Sequence, residues 1–410
     1  MEMRETPLHP ELPRSLAAVP DEKFPSRVTE QPSGRVFGLD VLRAVAILSV
    51  LLAHGSSVLI PHLPWWFAFI GHGGFYGVEL FFVLSGFLIG TILVRAGEKL
   101  REPSQIVTFY IRRWFRTLPL FWIFLGIHVW LEASLRDHRP NALEIAQHGF
   151  FLRNLFGLHI TFFPESWSLA VEEWFYLLFP LALWCGLRLV RRFDVVFLTV
   201  ALGFFLFSNT GRMLTASRDY ATWTAWMREG VFFRFDGLML GVFAAWLALR
   251  YDINWRKYRA LCGGAGILLL AAMYATLWTV SGHDIGLSAD DYFARTIRFT
   301  LVSLGFALLL PAASTWKLGA ENIFSTMIRR IALWSYALYL VHLPLIQIVQ
   351  RQLSPTPTSS LPYAIGVFAL EIGGSLLISA LLYRVVESRC THLRDAAAPA
   401  AGRFVAKRLG

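Results

Sequence analysis

Residues 75–95 read FYGVELFFVLSGFLIGTILVR, with Glu79 the single charged side chain before the closing arginine. A helix needs ~20 mostly apolar residues to cross the hydrocarbon of a bilayer, and this run meets that length. Working outward, similar stretches lie at 38–60, 117–133, 166–187, 194–209, 230–249, 260–280, 297–313, 331–350 and 362–384. The third, fifth and eighth are short, which leaves nine to eleven spans. The expected fold class is an all-α integral membrane protein, a polytopic bundle of about ten transmembrane helices.

Composition agrees. The chain has 410 residues, 55% hydrophobic and 16% charged, with mean hydropathy +0.51. Soluble domains are nearer ~25% charged. A net charge of +10 would suit nucleic acid, but the basic residues lie between long apolar runs, so the partner they predict is the lipid bilayer. Cys185, Cys262 and Cys390 have no metal-type spacing, and no metal site or disulfide framework is expected. The first residues are polar, proline-bearing and lack the apolar stretch of a cleavable signal. The expected organisation is a disordered cytoplasmic tail at 1–34, a transmembrane domain at 35–386 and a cytoplasmic C-terminal tail at 387–410.

Orientation follows from lysine and arginine placement. With the N-terminus inside, 27 of the 38 fall in inner segments, 8 in outer loops, and Arg43, Arg234 and Arg298 within spans. Both ends are therefore expected on the cytoplasmic side. Arg112, Arg113 and Arg116 are placed just before the third helix, and Arg212 in an outer loop.

Ionisable groups within spans are costly, and so are functional candidates. Arg43 and His54 are eleven residues apart in RAVAILSVLLAH. Eleven residues make about three turns, so both side chains share one stripe, ~16 Å apart along the axis. Alone, Arg43 would pair with Asp40 and His54 would be a packing residue; the shared stripe argues for more. The fourth span opens SWSLAVEEWFYLLFP. Glu172 shares a face with Ser168 and Tyr176, and Glu173 points ~100° away. Arg234 and Asp236 are two residues apart, so each needs a partner elsewhere. Ser335, Tyr339 and His342 share a face of the ninth span. Topology places His54, Glu79, Glu173, Arg234, Asp236 and His342 in the outer half, which suggests one polar pocket; interhelical ion pairing is the plainer reading of Glu79, Arg234 and Asp236. On the inner side, Arg112 and Arg116 form an i, i+4 pair suited to phosphate oxygens, with Arg113 beside them, unless all three are ordinary membrane anchors.

RAVAILSVLLAH, FFVLSGFLI, YIRRWFRTLP, WSLAVEEWFYLLFP, RFDGLMLG and YALYLVHLPL, in this order from Gly38 to about Pro344, resemble acyltransferase family 3 of bacterial membranes. Glu79 stands where many members carry aspartate. With the last apolar run ending near 384, no fused extracytoplasmic hydrolase-like domain is expected. The resemblance implies transfer of an acyl group, commonly acetyl, from acyl-CoA (acetyl-CoA) to a hydroxyl. The acceptor would be a cell-surface carbohydrate or glycolipid, and no cofactor would be permanently bound. It implies the bacterial cytoplasmic (inner) membrane. It also marks Arg43, His54, Arg112, Arg116 and the glutamates of the fourth span as functional positions.

The chemistry of these residues is compatible. A thioester donor needs a base for the acceptor hydroxyl, and a histidine near its ordinary pKa suits neutral pH. Glu172 or Glu173 would orient and compensate it, Arg43, Arg112, Arg113 and Arg116 would hold the donor, and Glu79, Arg234, Asp236, Tyr339 and His342 would line the acceptor pocket. His54 as a transient acyl carrier is an equally open route. Two other classes remain: a secondary transporter, which would more often show two related halves, and a conduit passing acyl groups to a separate periplasmic partner enzyme.

Overall fold

The computed structural model describes residues 36–64, 67, 74, 76–136, 139–158, 162–215, 220–281, 292–318, 321–356 and 358–409. The tail expected at 1–34 lies outside them. Among the described residues, ten helices are long and apolar enough to cross a bilayer. They are α1 (Phe37–Gly55), α2 (Tyr76–Ala96), α3 (Pro103–Leu135), α4 (Ser166–Leu189), α5 (Phe193–Thr215), α6 (Phe235–Arg250), α7 (Arg259–Ser281), α8 (Ile297–Thr315), α9 (Ile323–Leu353) and α10 (Leu361–Leu382). A polar helix, α11 (Ser388–Leu409), follows. The protein is an all-α polytopic membrane protein.

Successive spans alternate in direction, and contacts between their ends define two faces. The face where α1 begins is called basal here. Gly38 N donates to Trp316 O after α8 at 3.3 Å, and Arg101, beyond α2, donates to Leu187 O near the end of α4. At the opposite, distal face, His128 of α3 meets Glu165 at the entrance to α4 at 2.9 Å. The last span, α10, returns the chain to the basal face. There α11 packs along the first half of α3, with Thr108 Oγ1 donating to Ala398 O at 3.5 Å. The segment read as a C-terminal tail is thus a docked helix.

Two helices start earlier than hydropathy suggested, for local reasons. Pro103 sits in the first turn of α3, where its missing N–H is no loss, and the helix then runs for 33 residues. Arg112, Arg113 and Arg116 therefore lie within α3 rather than before it. Asn322 caps α9 by accepting from Ser325 N at 2.8 Å, while Ser325 Oγ accepts from Asn322 N at 3.0 Å. In α5, Arg212 lies in the last helical turn and is fully buried, rather than in an outer loop.

The interior is built around α2. In its most apolar window 72% of residues are buried inside the protein, against 17% for the peripheral α7. The backbones of α2 and α6 approach closely, where small residues let them meet. A Cβ on Gly86 would lie 1.9 Å from Leu238 O, and one on Gly241 would lie 2.1 Å from Val83 O.

Candidate active site

One cavity runs up the bundle between α1, α2, α3, α4 and α9. Arg43, Arg113 and Arg116 line its basal part, Ser85, Glu172 and Tyr176 its middle, and Ser168 and Tyr339 its distal part. Helix geometry explains the set. On α3, Arg116 and Thr117 fall ~60° and ~40° to either side of Arg113, so the three span a face ~100° wide. Arg112 is ~100° from Arg113, and it lies outside the lining. The arginines brought together are thus Arg113 and Arg116, with Arg43 opposite, rather than Arg112 with Arg116.

Arg113 is held by packing. Its Cζ lies 4.1 Å from the ring centroid of Tyr176. Its Nε is buried with no hydrogen-bond partner among the described residues, so it has a donor to spare for an anion. Tyr176 OH donates to Glu172 Oε2 at 2.9 Å, and Ser85 Oγ donates to Oε1 at 2.6 Å. Glu172 thus belongs to the middle of the cavity, in the field of Arg113 and Arg116. Glu173 faces Thr117 from outside the lining. Neither glutamate touches His54. Arg43 lies 3.5 Å from Asp40 and still reaches the cavity.

At the distal end Ser168 Oγ and Tyr339 OH are 2.6 Å apart and close the cavity. Beyond them the Tyr339 ring lies 5.7 Å from that of His342, and His342 Nε2 meets His54 Nδ1 at 3.1 Å. The tautomers follow from the neighbours. A carbonyl oxygen only accepts. Nδ1 of His54 therefore carries hydrogen where it meets Val50 O at 3.1 Å, and so does Nδ1 of His342 where it meets Leu338 O at 3.2 Å. In the neutral pair, His342 Nε2 then accepts from His54 Nδ1–H, and the lone pair of His54 sits on Nε2. His342 is fully buried and His54 is exposed. The buried ring fixes the exposed one.

Glu79, Arg234 and Asp236 stand apart from this cavity. Arg234 pairs with Glu79, which also accepts from Ser303 Oγ at 3.0 Å. Asp236 accepts from Arg212 at 2.6 and 3.1 Å and from Thr300 Oγ1 at 2.6 Å. The six outer-half residues therefore divide into an ion-pair layer joining α2, α5, α6 and α8, a histidine pair joining α1 and α9, and Glu173.

Several neighbours of the site escaped the sequence reading. Ser85 was legible, since Val78, Phe81, Phe82, Ser85 and Leu88 of α2 all line the cavity at helical spacing. The buried pair of His128 and Glu165 was not, because its members are 37 residues apart on different helices. His148 lies in the short helix Ala142–Gly149, with Nδ1 3.4 Å from Ser166 Oγ. Burial first, then Arg153 and His128, lower its pKa to about 3.

Over 380 residues the chain is 27% identical to a peptidoglycan O-acetyltransferase of Listeria monocytogenes, covering 88% of this chain and 57% of that one. Over 379 residues it is 25% identical to a candidate O-acetyltransferase of Staphylococcus aureus, covering 86% and 56%. A candidate peptidoglycan O-acetyltransferase of Bacillus subtilis is 32% identical over 168 residues, which is 38% of this chain and 24% of that one. The chain spans little more than half the length of the first two relatives. No solved structure matches it. Residues 36–382 match the acyltransferase domain family, and the chain belongs to that family.

Proposed function

We propose that the chain is a membrane O-acyltransferase that takes an acetyl group from acyl-coenzyme A at the basal face and delivers it to a hydroxyl of a surface carbohydrate at the distal face. The basal face is then the cytoplasmic side of a bacterial cytoplasmic membrane, an orientation that the bias of basic residues supports. The observation that carries the reading is the single cavity linking the arginines Arg43, Arg113 and Arg116 to the Ser168–Tyr339 closure, directly beneath the histidine pair. The names of the relatives support acetyl as the group and peptidoglycan as one acceptor class.

On this reading the donor is a substrate rather than a resident cofactor. Arg113 and Arg116 hold its phosphates by charge-assisted hydrogen bonds, and Arg43 stands beside the arm as it rises. Opening of the Ser168–Tyr339 contact admits the thioester to the histidines. His54 Nε2 takes the proton of the acceptor hydroxyl as its oxygen bonds to the acyl carbon. The C–S bond breaks, and the thiolate leaves with coenzyme A and is protonated to the thiol.

The test is incubation of the purified protein with isotopically labelled acetyl-CoA and peptidoglycan fragments. Ester-linked label on the glycan, with no second protein present, is expected. Label that reaches glycan only after a separate transferase is added would identify an acyl conduit instead.

A further inference from the structure

Taking the acceptor's proton leaves a positive charge shared between exposed His54 and fully buried His342, and at the buried ring an uncompensated charge is costly. The carboxylates expected to meet that charge, Glu172 and Glu173, are committed elsewhere: Glu172 is bonded to Ser85 and Tyr176, and Glu173 faces Thr117. Glu79 is paired with Arg234 and Asp236 with Arg212. Three other buried acids lie toward the same face. Glu132 of α3 pairs with Arg136 at 3.0 Å. Glu371 of α10 accepts from Gln350 Nε2 at 3.0 Å through one oxygen, and its other oxygen is buried with no hydrogen-bond partner among the described residues. Glu165, at the entrance to α4, is 3% exposed.

The surroundings of Glu165 single it out. His128, itself buried, brings its Nε2 to Glu165 Oε1 at 2.9 Å, and the His128 ring stacks on Phe163 with centroids 4.4 Å apart. This holds the carboxylate while Oε2 stays buried with no hydrogen-bond partner among the described residues. The backbone carbonyl of the same residue accepts from Tyr339 OH at 3.3 Å. Tyr339 is the residue whose ring borders His342. Glu165 therefore borders the cavity closure, with Tyr339 between it and His342. Glu371 instead borders Gly55 of α1 and Gln350 of α9, and makes no contact with Tyr339.

We infer that Glu165, held by His128, is the carboxylate that compensates the charge gained by the His54–His342 pair when it takes up the acceptor's proton. This rests on the reading of His54 as the base. Glu165 touches neither donor nor acceptor, so it is a positioning residue that acts through the histidines.

The test compares steady-state kinetics of the full chain in detergent or nanodiscs, with acetyl-CoA and peptidoglycan fragments. Glu165→Gln keeps the shape and the acceptor for His128 but removes the charge. Its kcat should fall about 10- to 100-fold, less than the ~10⁴-fold where a carboxylate contacts the base directly, with the KM for acetyl-CoA unchanged. Glu165→Asp keeps the charge and should be the more active of the two. A role in packing alone predicts the reverse order, and that order would overturn the inference. Glu371→Gln should behave as the unaltered protein; a loss there equal to that of Glu165→Gln would also overturn it. In a His342→Ala background, Glu165→Gln should cost much less than it does alone, whereas independent, multiplying losses would contradict action through the pair. Should the Gln variant fail to insert, Glu165→Asp combined with His342→Ala gives the same coupling. His54→Ala keeps the two readings separate. If it is inactive while Glu165→Gln is normal, only this inference fails; if it is active, the assignment of the base fails.

Discussion

At the scale of single residues, the eleven-residue spacing of Arg43 and His54 was legible because helical periodicity is a local property. What His54 does with its ring was not, because its tautomer depends on His342, 288 positions away. The arginines show the same divide. Three basic residues in RRWFR announced an anion site, but which of them face inward depended on where α3 packs. Arg113→Ala and Arg116→Ala should each weaken acetyl-CoA binding about 10- to 100-fold, the range for hydrogen bonds to charged groups, while Arg112→Ala leaves it unchanged. Calorimetric titration of the detergent-solubilised variants checks this, and equal losses for Arg112 and Arg116 would restore the i, i+4 clamp. The ion-pair layer gives a stability prediction instead. Glu79→Ala strands Arg234, which is 1% exposed, and should lower stability by about 3–5 kcal/mol, seen as a fall in melting temperature with donor affinity retained in the folded fraction.

At the scale of helices, hydropathy located the apolar middle of each span and missed polar ends. The first half of α3, from Pro103 to Arg116, carries too many charged and polar residues to register as a span. Its helical state is set by the proline in its first turn and by packing against α11. The early start of α9 rests on the Asn322–Ser325 cap, a four-residue pattern that a search for ~20 apolar residues passes over. The contact of α2 with α6 was likewise invisible, since FFVLSGFLIG and FDGLMLG show glycines without showing that they face each other. Gly86→Ala would force a Cβ to within 1.9 Å of Leu238 O. The helices must then separate, at a cost of about 1–3 kcal/mol or more. Gly126→Ala, where nothing lies within 4 Å of the added carbon, should be tolerated. Thermal unfolding of the two variants compares them directly.

At the scale of the whole molecule, the ten-helix bundle was the most legible feature, because apolar length and the alternation of basic loops are read without knowing any contact. The division of its polar residues into a cavity, a histidine pair and an ion-pair layer was not, because depth along a helix says nothing about which helices are neighbours. The alternating directions put the start of α1 and the docked α11 on one face, so reporter fusions after Gly410 should report the cytoplasm; an external signal would invert every assignment of donor and acceptor sides. The claim that unites the site is that one cavity carries an acyl group from one face of the membrane to the other. It is tested by reconstituting the protein in sealed vesicles, with labelled acetyl-CoA supplied only at the basal face and glycan acceptor only at the distal face. Label should appear on the glycan with the unaltered protein, and should fall by at least the ~10²–10⁴-fold worth of a general base in His54→Ala, with acetyl-CoA binding intact. Transfer that occurs only when donor and acceptor share one face, or that persists in His54→Ala, would contradict the account.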